Sequence, residues 1–306
     1  MPPVTRGSFA TRLTASVAAR CSQIVLGLDP DPARLWPAGE SAGAAATGSA
    51  AQRAGAAVAA HCRAVIDAAG PACVAIKPQL ACFERLGAAG WTALAATVEH
   101  AHEHGLLVLA DGKRGDIDVS AGAYAQALFG STPTPYGEVS GLGADAITAN
   151  PYMGRDTLSV LTTAAEAAGA GVFVLVRTSN PGAADVEDLE LAGGEPVWAR
   201  VAQLVAGLAG AGDGLSDVGA VVGATRPDHI ARLRDLLPRA IFLLPGVGAQ
   251  GGRVEDLAPA FAPGRAGGLV TASRSIVRAY EAAGTDHAAA ARAEAERLRT
   301  SAWSLA

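Results

Sequence analysis

Lysine is almost missing from this chain. Of its 24 basic residues only Lys77 and Lys113 are lysine, which leaves 22 arginines. Arginine stays protonated at any accessible pH, whereas lysine is a compact ammonium that can be tuned and can give up a proton. A general drift toward arginine would leave the same count, so placement has to decide what the two lysines mean. Other shortages exclude whole classes. Aromatic residues make up 5%, the net charge is −5, and there is no basic run, which argues against nucleic-acid binding but leaves room for one bound phosphate. Cys21, Cys62, Cys73 and Cys82 show no CxxC spacing and no histidine at ligand distance. With an N-terminus whose apolar stretch is interrupted by Arg12 and Arg20, they read as reduced thiols of a cytoplasmic protein. No run approaches the ~20 apolar residues of a membrane helix. The absence of HExxH, GxSxG and a strand-linked GxGxxG removes support for zinc proteolysis, nucleophile-elbow hydrolysis and a dinucleotide fold.

What is present is half hydrophobic, enough for a sizeable core, and it is ordered. Eight short apolar runs recur at 23–30, 72–79, 105–113, 144–151, 171–181, 219–227, 240–248 and 267–275. Each ends in a polar, glycine- or proline-bearing turn, as parallel strands buried on both faces do. Alanine-rich amphipathic stretches such as 54–69, 90–105 and 198–210 lie between them. Eight strands alternating with helices over ~250 residues predict a single-domain (β/α)₈ TIM barrel. Residues 1–22 are expected to form a helix capping the barrel floor. The Gly/Ala/Ser/Pro-rich segment 31–52 and the acidic segment 182–197 are expected to be loop insertions.

In such barrels functional side chains come from the C-terminal strand ends. The polar residues there are Asp29, Lys77, Asp111, Lys113, Asp116, Ser179, Gln250 and Arg274. Asp111 and Lys113 are two apart and so share one face of an extended strand; Asp116 follows past Gly115. Two carboxylates beside an ammonium keep it charged and positioned, at roughly 4 kcal/mol per pair for ~4 Å and an effective dielectric of 20. Such an array could repel an anionic substituent at one point and stabilise a developing carbanion at the next, although a structural ion-pair network at the rim would use the same residues. The glycine-rich loop 244–252 and Arg274 fall after the seventh and eighth strands, where a phosphate site recurs in these barrels. The cluster Glu99, His100, His102, Glu103 and His104 falls on the floor side at a helix C-terminus, where histidines favour the dipole and stay solvated; no metal is expected there.

The segments LGLDP (26–30), AIKP (75–78), the DxKxxD element 111–116, TSNPG (178–182) and PGVGAQGG (245–252) together resemble the orotidine 5′-phosphate decarboxylase family over the whole barrel. GKRGDI (112–117) and ANPYMG (149–154) are similar to its second, bacterial type. The resemblance implies decarboxylation of orotidine 5′-monophosphate to uridine 5′-monophosphate, the last step of pyrimidine nucleotide synthesis, with no metal or organic cofactor. It implies a tetrad of Lys77, Asp111, Lys113 and Asp116 in a homodimer with shared active sites, Asp116 being donated across the interface. Lys113 would protonate C6, Asp111 would face the substrate carboxylate, and Lys77 would link Asp111 to the ribose. Asp29 and Asp116 would hold ribose hydroxyls, and Ser120, where the family usually carries threonine, would reach the partner's ribose. Gln250 and Arg274 would grip the phosphate, Ser179 would read the pyrimidine amide, and Pro245 would line the substrate pocket.

Two rival expectations remain. A magnesium-dependent decarboxylase or aldolase of sugar phosphates would share DxKxxD but need another acidic ligand, for which Glu84 is the nearest candidate. A barrel that only binds nucleotides would not need the tetrad.

Overall fold

Each of the eight apolar runs becomes a strand, and the strands close on themselves. The computed structural model describes residues 7–248, 251–284 and 286–306. Its strands are β1 (Ile24–Leu28), β2 (Ala75–Pro78), β3 (Leu107–Arg114), β4 (Ser131–Thr134), β5 (Gly137–Ser140), β6 (Ala146–Ala149), β7 (Gly171–Arg177), β8 (Ser216–Val222), β9 (Ala240–Leu244) and β10 (Gly268–Ala272). The barrel runs β1-β10-β9-β8-β7-β6-β3-β2, every pairing is parallel, and β4 with β5 forms a separate antiparallel hairpin. The hairpin is an addition that the run pattern does not foresee, because its strands are exposed and carry no apolar face toward the core.

The helices are α1 (Phe9–Arg20), α2 (Pro37–Ala45), α3 (Ala50–Ala69), α4 (Leu80–Glu84), α5 (Ala88–Glu103), α6 (Asp118–Leu128), α7 (Arg155–Ala168), α8 (Val197–Ala206), α9 (Pro227–Leu236), α10 (Arg274–Val277), α11 (Tyr280–Ala283) and α12 (His287–Trp303). Among the described residues no helix is long and apolar enough to cross a membrane. Two apolar layers result. Val25, Leu109, Phe173, Ile241, Leu243 and Leu269 belong to the cluster filling the barrel, while Leu26, Ile76, Val108, Val174 and Phe242 belong to the layer packed against the helices. This is the alternation expected of strands with both faces covered. The α1 helix, capped by Ser8, closes the floor: Phe9 meets Phe173 edge-on with ring centroids 5.7 Å apart. Gly171 makes this approach possible, since a Cβ there would lie 2.6 Å from the Phe9 ring.

Segment 31–52 departs from its expectation as a loop, since it contains α2 and the start of α3. Proline at its first turn starts α2, and a reciprocal Ser49–Gln52 capping box starts α3. Segment 182–197 is mostly irregular, with one short 3₁₀ turn over Pro181–Asp185.

One buried cation has a purely structural place. Arg234, 6% exposed, donates to the carbonyls of Leu237, Ala240, Ala260 and Gly267 at 2.7–3.0 Å and lies 3.7 Å above the Phe242 ring. Burial lowers its pKa to about 10, still far above physiological pH. Cys62 and Cys73 are also buried, and burial pushes both thiols up to about 12, so they behave as small apolar groups.

Candidate active site

The mouth of the barrel opens into a cavity of about 780 Å³. Asp29, Lys77, Asp111, Lys113, Ser179, Pro245 and Arg274 all line it, so seven of the expected positions converge. Asp111 is the hub. Its Oδ2 accepts from Lys77 Nζ at 2.5 Å, and its Oδ1 accepts from Lys113 Nζ at 2.7 Å and from Thr148 Oγ1 at 2.8 Å. Burial alone would raise the Asp111 carboxyl. The ammonium groups of Lys77 and Lys113 outweigh it and hold the acid well below the usual carboxylate range. Burial would likewise lower Lys77, but the charges of Asp111 and Asp29 prevail and raise it. The pair therefore stays ionised across the working pH range.

The geometry of β3 is not that of a plain extended strand. Its register against β6 slips between Ala110 and Arg114, and Lys113 adopts φ = 48°. Lys113 and Asp111 still meet on one side, but a bulge brings them together instead of two-residue alternation. A left-handed non-glycine residue requires support from its surroundings. Here Thr148, at the end of β6, accepts from the Lys113 backbone N–H at 2.9 Å while donating to Asp111. Arg114 next door is held by an ion pair to Glu84 and lies 5.5 Å from the Tyr124 ring centroid. Thr148 and Gln79, whose Nε2 lies 3.4 Å from Asp111 Oδ2, are site residues that the sequence reading missed. The visible signal for Thr148 was a hydroxyl inside the apolar run 144–151.

The far wall of the cavity gathers a guanidinium, hydroxyls and glycine backbone, the donor types an anion takes. Gly246 and Gly248 take positive φ beside the start of α10, where Arg274 reaches the cavity. Ser275 Oγ and Thr271 Oγ1 line the same cavity, buried and without a hydrogen-bond partner among the described residues. Such atoms are costly unless something binds them. Gln250 lies outside the described residues. The loop 182–197 covers one side of the mouth through Gly182, Ala183, Val186, Glu187 and Val197. Arg177, buried at the end of β7, fastens it with two bonds to Asp188 of 2.8 and 2.9 Å, and Glu187 accepts from the Thr178 N–H at 2.8 Å.

Asp116 and Ser120 do not line the cavity of this chain. They sit on the rim at the start of α6, beside exposed Ile117 and Val119. Glu84 is also outside the cavity, occupied by Arg114. The floor-side histidines divide: His102 Nε2 is 3.0 Å from Asp145, which is buried and also bound by Arg12, whereas His100 and His104 turn to Asp67. His102 is therefore part of the floor's hydrogen-bond network around Asp145 and not merely a solvated end, because α5 delivers it to the N-terminal edge of β6.

A closed eight-stranded parallel barrel with two ammonium groups on one carboxylate, facing donors suited to an anion, defines a (β/α)₈ barrel with a charged ligand site at its mouth. The chain belongs to the orotidine 5′-phosphate decarboxylase / HUMPS family, whose model matches residues 22–292. It is 41% identical over 278 residues to the orotidine 5′-phosphate decarboxylase of Rhodopirellula baltica, covering 90% of this chain and 89% of that one. The solved OMP decarboxylase of Leishmania donovani superposes with a TM-score of 0.70 at 31% identity, covering 96% of this chain and 99% of that chain. The UMP synthase of the same organism gives 0.71 at 32% identity; 96% of this chain is covered but only 56% of that longer one.

Proposed function

We propose that this chain decarboxylates orotidine 5′-monophosphate to uridine 5′-monophosphate, and that the Lys77–Asp111–Lys113 array carries out the step. The observation that carries this reading is the buried, ionised Asp111 clamped between the two lysines of the chain at 2.5 and 2.7 Å. Breaking the bond from C6 to the carboxylate leaves the electron pair in the ring plane, where no π system can accept it. Only a cation aimed at that point stabilises it, so catalysis rests on preorganised charge. Asp111 stands against the substrate carboxylate and favours its departure as carbon dioxide; Lys113 Nζ then delivers a proton to C6. Lys77 keeps Asp111 ionised and reaches toward the ribose, whose hydroxyls Asp29 also holds. Ser179 and Pro245 border the base, and Arg274 with Gln250 takes the phosphate. Phosphate binding, remote from C6, supplies the energy that closes 182–197 over the site.

Asp116 and Ser120 act in this reading across a homodimer interface, into the partner's cavity. Their rim position supports it, as does the exposure of their apolar chain neighbours Ile117 and Val119. The four cysteines are free thiols, in keeping with a reducing cytoplasm. A magnesium-dependent sister chemistry draws no support from Glu84, which is engaged by Arg114.

The test is orotidine 5′-monophosphate with EDTA, followed by the ultraviolet change. Turnover is expected to persist; strict dependence on added magnesium would overturn the reading in favour of the sister chemistry. Shared sites are checked by mixing Lys113→Ala and Asp116→Ala proteins. Hybrid dimers, each with one intact site, should regain partial activity, and no recovery despite verified subunit exchange would refute sharing.

A further inference from the structure

On the opposite end of the barrel from the mouth, the C-terminal turns of α3 and α5 bring Asp67, His100 and His104 together. We propose that these three side chains bind a late first-row divalent cation, Zn²⁺ in particular, clamping α3 to α5 at the barrel floor. The ligand-type atoms of the three residues all lie within 4.8 Å of one another. His100 and His104 are four apart, so they share one helix face, and both direct Nε2 at the same oxygen: Asp67 Oδ1 is 2.7 Å from His100 Nε2 and 3.3 Å from His104 Nε2.

The other ring nitrogens carry the argument further. His104 Nδ1 is 2.8 Å from the carbonyl oxygen of His100, which can only accept, so Nδ1 bears the proton and Nε2 presents its lone pair. His100 Nδ1 faces Glu103 Oε2 at 3.6 Å. Metal-bound histidines regularly give their second N–H to a carbonyl as His104 does here, which fixes the tautomer and strengthens the ligand, and Glu103 stands close enough to His100 to take that part once the metal is bound. When His100 Nε2 gives up the proton it shares with Asp67 on metal binding, two imidazole nitrogens and a carboxylate match zinc's preference for nitrogen and oxygen donors, with a fourth position left to water. Zinc bonds of ~2.1 Å place tetrahedral ligand atoms ~3.4 Å apart. Asp67 Oδ1 therefore has to draw back from His100 by about 0.7 Å, and its exposed side chain and the His104 ring at the helix end adjust to close the ligand set. His102, on the same helix, is directed away to Asp145 and takes no part.

The test uses untagged full-length protein carrying Cys21→Ser, which removes the exposed thiol as a competing ligand. Zn²⁺ is titrated against a chromophoric chelator, and melting is followed in parallel with and without Zn²⁺. One ion per chain is expected, with Tm raised on binding. Asp67→Asn and His104→Gln should each weaken binding at least tenfold and abolish the Tm shift, and Glu103→Gln should weaken it by about tenfold. His102→Gln should leave the stoichiometry intact. No binding below ~100 µM, or binding indifferent to Asp67 and His104, overturns the proposal. All these residues lie away from the mouth cavity, so circular dichroism of each variant establishes that it is folded and the outcome does not depend on decarboxylation.

Discussion

Replacing Thr148 with valine asks how much of the site depends on one hydroxyl. Thr148 is 2% exposed, donates to Asp111 Oδ1 at 2.8 Å and accepts from the Lys113 N–H at 2.9 Å. Valine keeps the shape and removes both bonds. A hydrogen bond to a charged group contributes ~1.5–3 kcal/mol, and a buried N–H left without a partner costs ~1–3 kcal/mol. Part of this is recovered by relaxation of Lys113, whose φ of 48° is no longer supported, and that relaxation moves the proton donor. A net loss of ~2 kcal/mol in the transition state corresponds to a ~30-fold fall in kcat. Because the hydroxyl is spent on Asp111 and Lys113, KM should change by less than about threefold. The assay is initial-rate loss of orotidine 5′-monophosphate absorbance, with Thr148→Ser as the rescue, expected within about threefold of wild type. A folded valine variant with kcat within twofold of wild type would refute the claim that Thr148 positions the array.

Two further outcomes follow from buried groups away from the cavity floor. Arg234→Leu strips four carbonyls of their donor and is expected to cost ~3 kcal/mol or more in denaturant unfolding; a loss under ~1 kcal/mol would contradict the role given to it. His61 is 3% exposed and accepts the Trp36 N–H on Nδ1, so it is neutral when folded; burial, aided by His287, lowers its pKa to about 4. Above the ordinary value of ~6.5 neither state binds the proton and the residue has no pH effect. Below it only the unfolded chain does, so stability should fall by about 3 kcal/mol between pH 6.5 and 4 and then level off. Urea midpoints over that range should show the decline in wild type and a smaller one in His61→Asn.

The barrel was legible because parallel strands covered on both faces must be apolar throughout, and the open doubly wound alternative lacks its strand-linked GxGxxG turn. The lysines, Asp29, Asp111, Ser179 and Arg274 were legible because strand ends in a barrel converge, whereas Pro245 was legible through the family resemblance alone. The helices within 31–52 were not. α2 buries no apolar stripe: it packs on α3 through Gly39 and Gly43, where a Cβ would meet Ala57 at 2.8 Å, so hydrophobic periodicity is silent. Its cues were Pro37 and the Ser49–Gln52 box, both local and both present in the sequence. The bulge at Lys113 and the meeting of Asp67 with His100 and His104 depend on pairing between distant segments, which residue spacing along one segment does not encode.

The central claim is that Lys113 supplies the proton and the cation opposite C6 while other residues hold the substrate. Its most direct measurement pairs single-turnover decarboxylation by Lys113→Ala with calorimetric binding of uridine 5′-monophosphate to the same protein. The account predicts turnover lowered by at least 10³-fold, ~4 kcal/mol of transition-state stabilisation, with product affinity within about tenfold of wild type. Turnover within tenfold of wild type would contradict it.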